Sequence, residues 1–216
     1  MEKLVIFDLD GTLLNTIADL GAAANHTLQK LGLPQHTIDE YRLMVGNGMR
    51  KLIMRALPES LAADDAFVDS TLASFLEYYA AHIDVHTTPY PGIPELIDTL
   101  SNQGYKLAVA SNKIQKGAET LIAKFFPGIP FVAVMGNSPV YPLKPDAAVV
   151  DHIMSKAGTD RAHTIMVGDS GTDIQTARNA SIPIIAVSWG FRPRHELTAA
   201  DHIADNTDQI MNLIEK

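Results

Sequence analysis

With 216 residues, 46% of them hydrophobic and 19% charged, the chain has the composition of an ordinary globular protein and the length for one sizeable domain with an insertion, or for two small ones. No apolar run approaches membrane-spanning length, and Met1-Glu2-Lys3 leads straight into a short strand, so no signal peptide is expected and a cytoplasmic location is the default. A net charge of -8 argues against a nucleic-acid-binding surface, and zero cysteines exclude disulfides, cysteine metal sites and thiol catalysis.

The first predicted strand, Val5-Ile6-Phe7, runs into Asp8-Leu9-Asp10-Gly11-Thr12-Leu13-Leu14. Period-two alternation places Asp8 and Asp10 on one face at the end of a buried strand. Like charges held there are costly unless a cation lies between them, and a divalent metal is the natural neutraliser. Gly11 permits a sharp turn, which predicts that amides near Gly11 and Thr12 point at an anion above the metal. The plainer reading of Asp8 and Asp10 is a strand end followed by acidic turn residues.

From Thr16 to about His86 the pattern is helical, with no convincing strand. Ile17, Leu20, Ala24, Leu28 and Leu31 form a stripe at three-to-four spacing that stops at Gly32 and Pro34. Val45 to Leu57 and Phe67 to Ile83 repeat the pattern, which predicts a small helical bundle with these stripes as its core. Within it, Gly46-Asn47-Gly48 reads as a loop at a helix start. Its amides, with Arg50 nearby, suit a carboxylate on a ligand, although a simple turn and a solvated arginine account for the same residues.

After Pro89-Tyr90-Pro91-Gly92 the text alternates. Helices are predicted over about 93–103, 115–125, 146–157 and 172–180, with strands over 106–110, 131–135, 164–168 and 183–187. Such βα alternation implies an α/β fold with a doubly wound parallel sheet, to which the first strand also belongs. The helical block is then an insertion. The expected domains are 1–14 with 87–216 as the α/β core, and 15–86 as a helical cap.

Three later segments are expected to end strands with polar groups where ligands bind in parallel sheets: Leu107 to Asn112, Val140 to Pro145, and Thr164 to Asp173. Ser111 offers a hydroxyl to a phosphoryl oxygen, or serves as a helix N-cap. Lys144 before Pro145 suits phosphate binding, or is a surface lysine ahead of a helix. Asp169 and Asp173 suit a metal, or complement a helix dipole. The eight histidines show no zinc-like spacing.

With these residues in view, the chain resembles the haloacid dehalogenase (HAD) superfamily, and within it the phosphoglycolate phosphatase-like hydrolases. The resemblance rests on Asp8 to Leu14, Val45 to Leu52, Pro89 to Gly92, Ser111-Asn112-Lys113, Lys144-Pro145 and Gly168 to Ala180, and spans nearly the whole length. It implies a Rossmann-like core with an α-helical cap, and a Mg²⁺-dependent phosphomonoesterase acting on a small phosphorylated metabolite, with 2-phosphoglycolate the leading candidate. In such an enzyme Asp8 is the nucleophile that becomes an aspartyl-phosphate, and Asp10 the general acid and then base. Asp8, the Asp10 carbonyl and Asp169 hold Mg²⁺, with Asp173 a further ligand or a partner orienting Lys144 or a water. Thr12, Ser111, Asn112, Lys113 and Lys144, with Gly46, Asn47, Gly48 and Arg50 from the cap, make up the expected substrate site.

Two departures from the family pattern stand out: Ala147 occupies the place of a frequent second proline after Lys144-Pro145, and Ser111 stands where many relatives carry threonine. Rival readings on the same fold are a sugar-phosphate or nucleotide phosphatase, a pyrophosphatase and a phosphosugar mutase. A dehalogenase needs neither Asp10 nor a metal, and a non-catalytic phosphometabolite-binding module needs no acid/base group. Neither nucleic acid nor membrane is an expected partner, and the sequence leaves monomer and homodimer equally open.

Overall fold

The computed structural model describes residues 3–215; Met1, Glu2 and Lys216 lie outside them. The chain forms two compact units, one ending at Asn15 and resuming at Pro89, the other running Thr16–Thr88.

The first unit is built on a six-stranded parallel sheet. Its strands are β1 (Leu4–Phe7), β4 (Lys106–Ile114), β5 (Phe131–Asn137), β6 (Thr164–Gly168), β7 (Ile184–Val187) and β8 (His202–Ala204), in the order β5-β4-β1-β6-β7-β8. The two remaining strands, β2 (Leu14–Asn15) and β3 (Thr88–Pro89), pair as a two-stranded sheet where the chain passes between units. All four residues of β1 are fully buried, as a strand covered on both faces requires. Because β4 and β6 flank β1 on opposite sides, the order reverses at β1, and the crevice beyond its carboxyl end is where a ligand fits.

Helices α6 (Ile93–Asn102), α7 (Gln115–Phe125), α8 (Ala148–Ala157), α9 (Gly171–Asn179) and α10 (Thr207–Ile214) complete this unit. Leu4, Ile6, Ala108 and Ala110 of the sheet form one core layer with Val149, Val150 and Ile153 of α8 and Ile174 and Ala177 of α9. Helices α6, α7 and α10 pack against β4, β5 and β8 or one another and add nothing to that layer, which puts them over the opposite face. This is the doubly wound arrangement expected from the βα alternation.

Three local expectations are corrected. β4 does not end at Ala110 but continues to Ile114, with a register shift against β5 between Ala110 and Ile114. Ser111 is therefore neither a strand end nor an N-cap, since Ile114 caps α7. Val140 to Pro145 is no strand; only an isolated bridge joins Ser138 to Tyr141, and the prolines at 139, 142 and 145 lack the N–H groups a ladder needs. β8 and α10 lie beyond the last predicted strand; the three residues of β8 are too few to show alternation.

The second unit consists of α1 (Ile17–Lys30), α2 (Ile38–Met44), α3 (Met49–Ala56), α4 (Glu59–Ala62) and α5 (Asp65–Ala81). Ile17, Leu20, Ala24 and Leu28 of the α1 stripe are buried, whereas Leu31, one residue past the helix, is 43% exposed. The predicted helix from Val45 starts only at Met49, because Gly46 and Gly48 take φ of 104° and 85° and interrupt it. Thr37 and Glu40 form a reciprocal capping box on α2, and the Asp64 side chain caps α5. Among the described residues no helix is long and apolar enough to cross a membrane.

Asp19, buried in the first turn of α1, accepts hydrogen bonds from the backbone N–H groups of His86 and Thr87 (2.9 and 2.8 Å) and from the Thr87 hydroxyl (2.7 Å). The start of the helical unit is thereby tied to its end. Asp19→Ala strands these donors without an acceptor, so urea denaturation is expected to show a loss of about 3 kcal/mol.

Candidate active site

Beyond the carboxyl end of β1, the loops after β1 and β6, the last residues of β4, the first turn of α9 and the loop before α8 bring Asp8, Asp10, Ser111, Asn112, Lys113, Lys144, Asp169 and Asp173 together. All these side chains except Asp10 are buried. One carboxylate oxygen from each of Asp8, Asp169 and Asp173 lies within 4.8 Å of the others. The Lys144 ammonium bridges two of them, 2.8 Å from Asp8 and 2.6 Å from Asp173.

Each group is held by its neighbours. Asp173 occupies the third helical position of α9 in a capping box with Ser170, whose N–H and hydroxyl both donate to Asp173 Oδ2 while Oδ1 receives Lys144. Both oxygens of Asp173 are therefore engaged before any ion is considered. Asp169 Oδ2 accepts from the Phe191 N–H at 2.7 Å. At Gly11, with φ of 92°, a Cβ would strike the Asp169 carboxylate, so glycine is required both for the turn and for the approach.

Three expected substrate contacts have other partners. The Gly11 and Thr12 amides do not face an anion: the tight turn folds them back onto the carbonyls of Leu14 and Leu9. The Thr12 hydroxyl is buried with no hydrogen-bond partner. The Asn112 amide donates to the Lys144 carbonyl (3.0 Å) and accepts from its N–H (2.8 Å), a reciprocal clasp that fixes the lysine's backbone. Lys113 pairs with Asp10. Ser111 Oγ accepts from the Lys113 N–H at 3.2 Å, which leaves the hydroxyl proton to donate outward.

Gly46, Asn47, Gly48 and Arg50 belong to the helical unit. The Arg50 guanidinium is bound to Asp65 (2.6 Å) and Asp69 (2.9 Å) of α5, so its charge is matched without a ligand carboxylate. Asn47 Oδ1 accepts from Arg55. Sequence reasoning missed the loop after β7, where Trp189 Nε1 donates to the Thr12 carbonyl and Phe191 to Asp169. Its useful groups are mainly backbone ones, which no residue pattern marks.

The electrostatics of the cluster favour a bound cation. Burial pushes Asp8 up to about 7, with Lys144 opposing the rise and Asp173 and Asp10 adding to it. Asp169 is also raised well above the usual carboxylate range, by burial first and then by Asp173 and Asp8. For Lys144, burial works to lower the value, but Asp173 and Asp8 outweigh it and hold the ammonium protonated. With Lys113 against Asp10, two ammonium groups serve four carboxylates, a surplus of two negative charges when all ionise. A clustered all-oxygen donor set with that surplus fits a hard divalent cation such as Mg²⁺.

Comparison with known proteins agrees with the fold. The family model for haloacid dehalogenase-like hydrolases matches residues 5–187. A phosphoglycolate phosphatase of Agrobacterium fabrum is 40% identical over 192 residues, 88% of this chain and 82% of that protein. Another, of Mesorhizobium japonicum, is 37% identical, covering 90% and 86%. A crystal structure from Lactobacillus delbrueckii subsp. bulgaricus, carrying a provisional phosphoglycolate phosphatase name, superposes with a TM-score of 0.92 at 32% identity and covers 99% of each chain. CbbY from Rhodobacter sphaeroides, solved in complex with phosphate, shares the fold at a TM-score of 0.81 and 22% identity, over 97% and 96% of the two chains.

Cation and proton compete for the raised carboxylates. Asp8 has a folded-state value of about 7 against 3.8 for a free side chain, so without a cation the fold binds its proton more tightly than the unfolded chain does. The ion-free protein is thus expected to lose stability as pH rises through that window. Apparent Mg²⁺ affinity should move the other way, falling about tenfold from pH 8 to pH 6 for one competing proton. Thermal melts titrated with Mg²⁺ at the two pH values check both signs.

Proposed function

The chain belongs to the haloacid dehalogenase-like hydrolases and is a phosphoric monoester hydrolase, and we propose that it hydrolyses 2-phosphoglycolate through an aspartyl-phosphate on Asp8. The observation that carries this reading is the buried Asp8 carboxylate at the end of the central strand, with Lys144 2.8 Å away and Asp169 close by. The substrate rests on the relatives named above.

A carboxylate attacking a phosphate dianion meets repulsion of roughly 4 kcal/mol per pair of unit charges at about 4 Å and an effective dielectric near 20. Catalysis therefore consists largely of positive charge and donors arranged around the phosphoryl group. Asp8, the Asp10 carbonyl and Asp169 would hold Mg²⁺, which when bound neutralises charge between nucleophile and phosphoryl oxygens. Lys144, kept protonated and aimed by Asp173 and the Asn112 clasp, and the Ser111 hydroxyl donate to those oxygens.

In the first step Asp8 Oδ attacks phosphorus as the ester P–O bond breaks, and Asp10 gives its proton to the departing alkoxide. In the second, the Asp10 carboxylate takes a proton from water as the water oxygen attacks the phosphorus. Phosphate leaves and Asp8 is restored. The helical unit is inserted in the chain directly after the nucleophile loop. Arg50 is left to join α3 to α5.

Phosphate release from a panel of phosphorylated metabolites tests the assignment. 2-Phosphoglycolate should give the highest kcat/KM, and EDTA should abolish turnover. A better sugar phosphate or nucleotide would overturn the substrate and leave the phosphatase standing.

Asp8→Asn should fold normally and release no phosphate, since an amide is no nucleophile. Near-wild-type turnover in that variant would sink the covalent mechanism.

A further inference from the structure

The tripeptide Ser111-Asn112-Lys113 lies in the irregular continuation of β4, where successive side chains point to opposite faces. Asn112 turns to the Lys144 backbone, while Lys113 turns to the nucleophile loop. The Lys113 side chain has 0% exposure, and its ammonium lies 3.1 and 3.3 Å from the two oxygens of Asp10. Contact with both oxygens fixes the tilt of the carboxylate as well as its place.

The backbone that carries Lys113 is itself immobilised. Its N–H donates to Ser111 Oγ, and its carbonyl and the Gln115 backbone press against Gly136 of β5 so closely that a Cβ there would not fit. Gln115 closes the contact, accepting from the Gly136 N–H at 2.6 Å and donating to the Val134 carbonyl at 2.8 Å. A buried ammonium on such a fixed stem is poorly placed to reach a substrate and well placed to hold its partner.

We propose that Lys113 is a positioning residue that aims the Asp10 carboxylate at the leaving-group oxygen, rather than a substrate contact. The inference rests on the reading of Asp10 as the general acid. It predicts an effect that travels through Asp10 and that grows with the leaving group's need for a proton.

The experiment is a double-mutant cycle of Lys113→Met and Asp10→Asn, with kcat/KM measured in Mg²⁺ for 2-phosphoglycolate and for p-nitrophenyl phosphate. Lys113→Met should cost ~10- to 100-fold on 2-phosphoglycolate and only a few-fold on p-nitrophenyl phosphate, and should cost nothing further in the Asp10→Asn background. The Mg²⁺-induced rise in Tm should survive in both single variants. Losses that multiply in the double variant, or a Lys113→Met loss equal for both substrates, overturn the proposal. If Lys113→Met does not fold, Lys113→Arg, which keeps the charge but displaces the donors, reads the same coupling. Should Asp10→Asn itself be indifferent to the leaving group, the acid assignment fails and this inference with it. Should Asp10→Asn be selective and the Lys113 variants not, this inference alone fails.

Discussion

Four carboxylates crowded at one end of a sheet are the constraint around which the rest of this structure is arranged. Asp8, Asp169 and Asp173 are buried and mutually close, and Asp10 stands beside them. Burying unpaired charge is far more costly than burying apolar surface, so each carboxylate is answered: Lys144 for Asp8 and Asp173, Lys113 for Asp10, and the Phe191 N–H for Asp169. These answers fall short by two charges, which is the charge a hard divalent cation held there would make up.

A parallel sheet makes such crowding possible. Strand ends that are far apart in sequence open onto one crevice, so β1, β4 and β6 each deliver acidic, basic or hydroxyl groups within a few ångströms of one another. The positions are then fixed by contacts that do no chemistry themselves. The Asn112 clasp on Lys144, the Ser170 capping box on Asp173 and the tight turn at Gly11 all restrict groups that must hold their geometry in a strongly repulsive setting.

The helical unit obeys ordinary packing rules and owes little to that electrostatic problem. Apolar stripes on α1, α3 and α5 bury one another, and Arg42 and Arg50 pair with acids of the same unit. Asp19 is the exception, a buried carboxylate satisfied by backbone donors near the point where the chain leaves the unit. Fold and chemistry are thus separable in this molecule, with the reactive groups brought together in the α/β unit.

By itself the sequence determined the fold class and the identity of the clustered residues. Continuous apolar runs such as Leu4 to Phe7, alternating with helical stretches, suit strands buried on both faces, and Asp8, Asp10 and Asp169 follow directly on such runs. Partnership was decided only by the tertiary structure. Nothing local distinguishes Lys113, turned inward onto Asp10, from a lysine facing a substrate, or Asn112, spent on a backbone, from an amide free to bind one. Gly11 and Thr12 likewise read as anion donors until the turn consumed their amides. Residue type and spacing report which groups a chain possesses and where its strands end. Which group meets which depends on register shifts, such as that in β4, and on contacts between residues a hundred positions apart, to which local periodicity is blind.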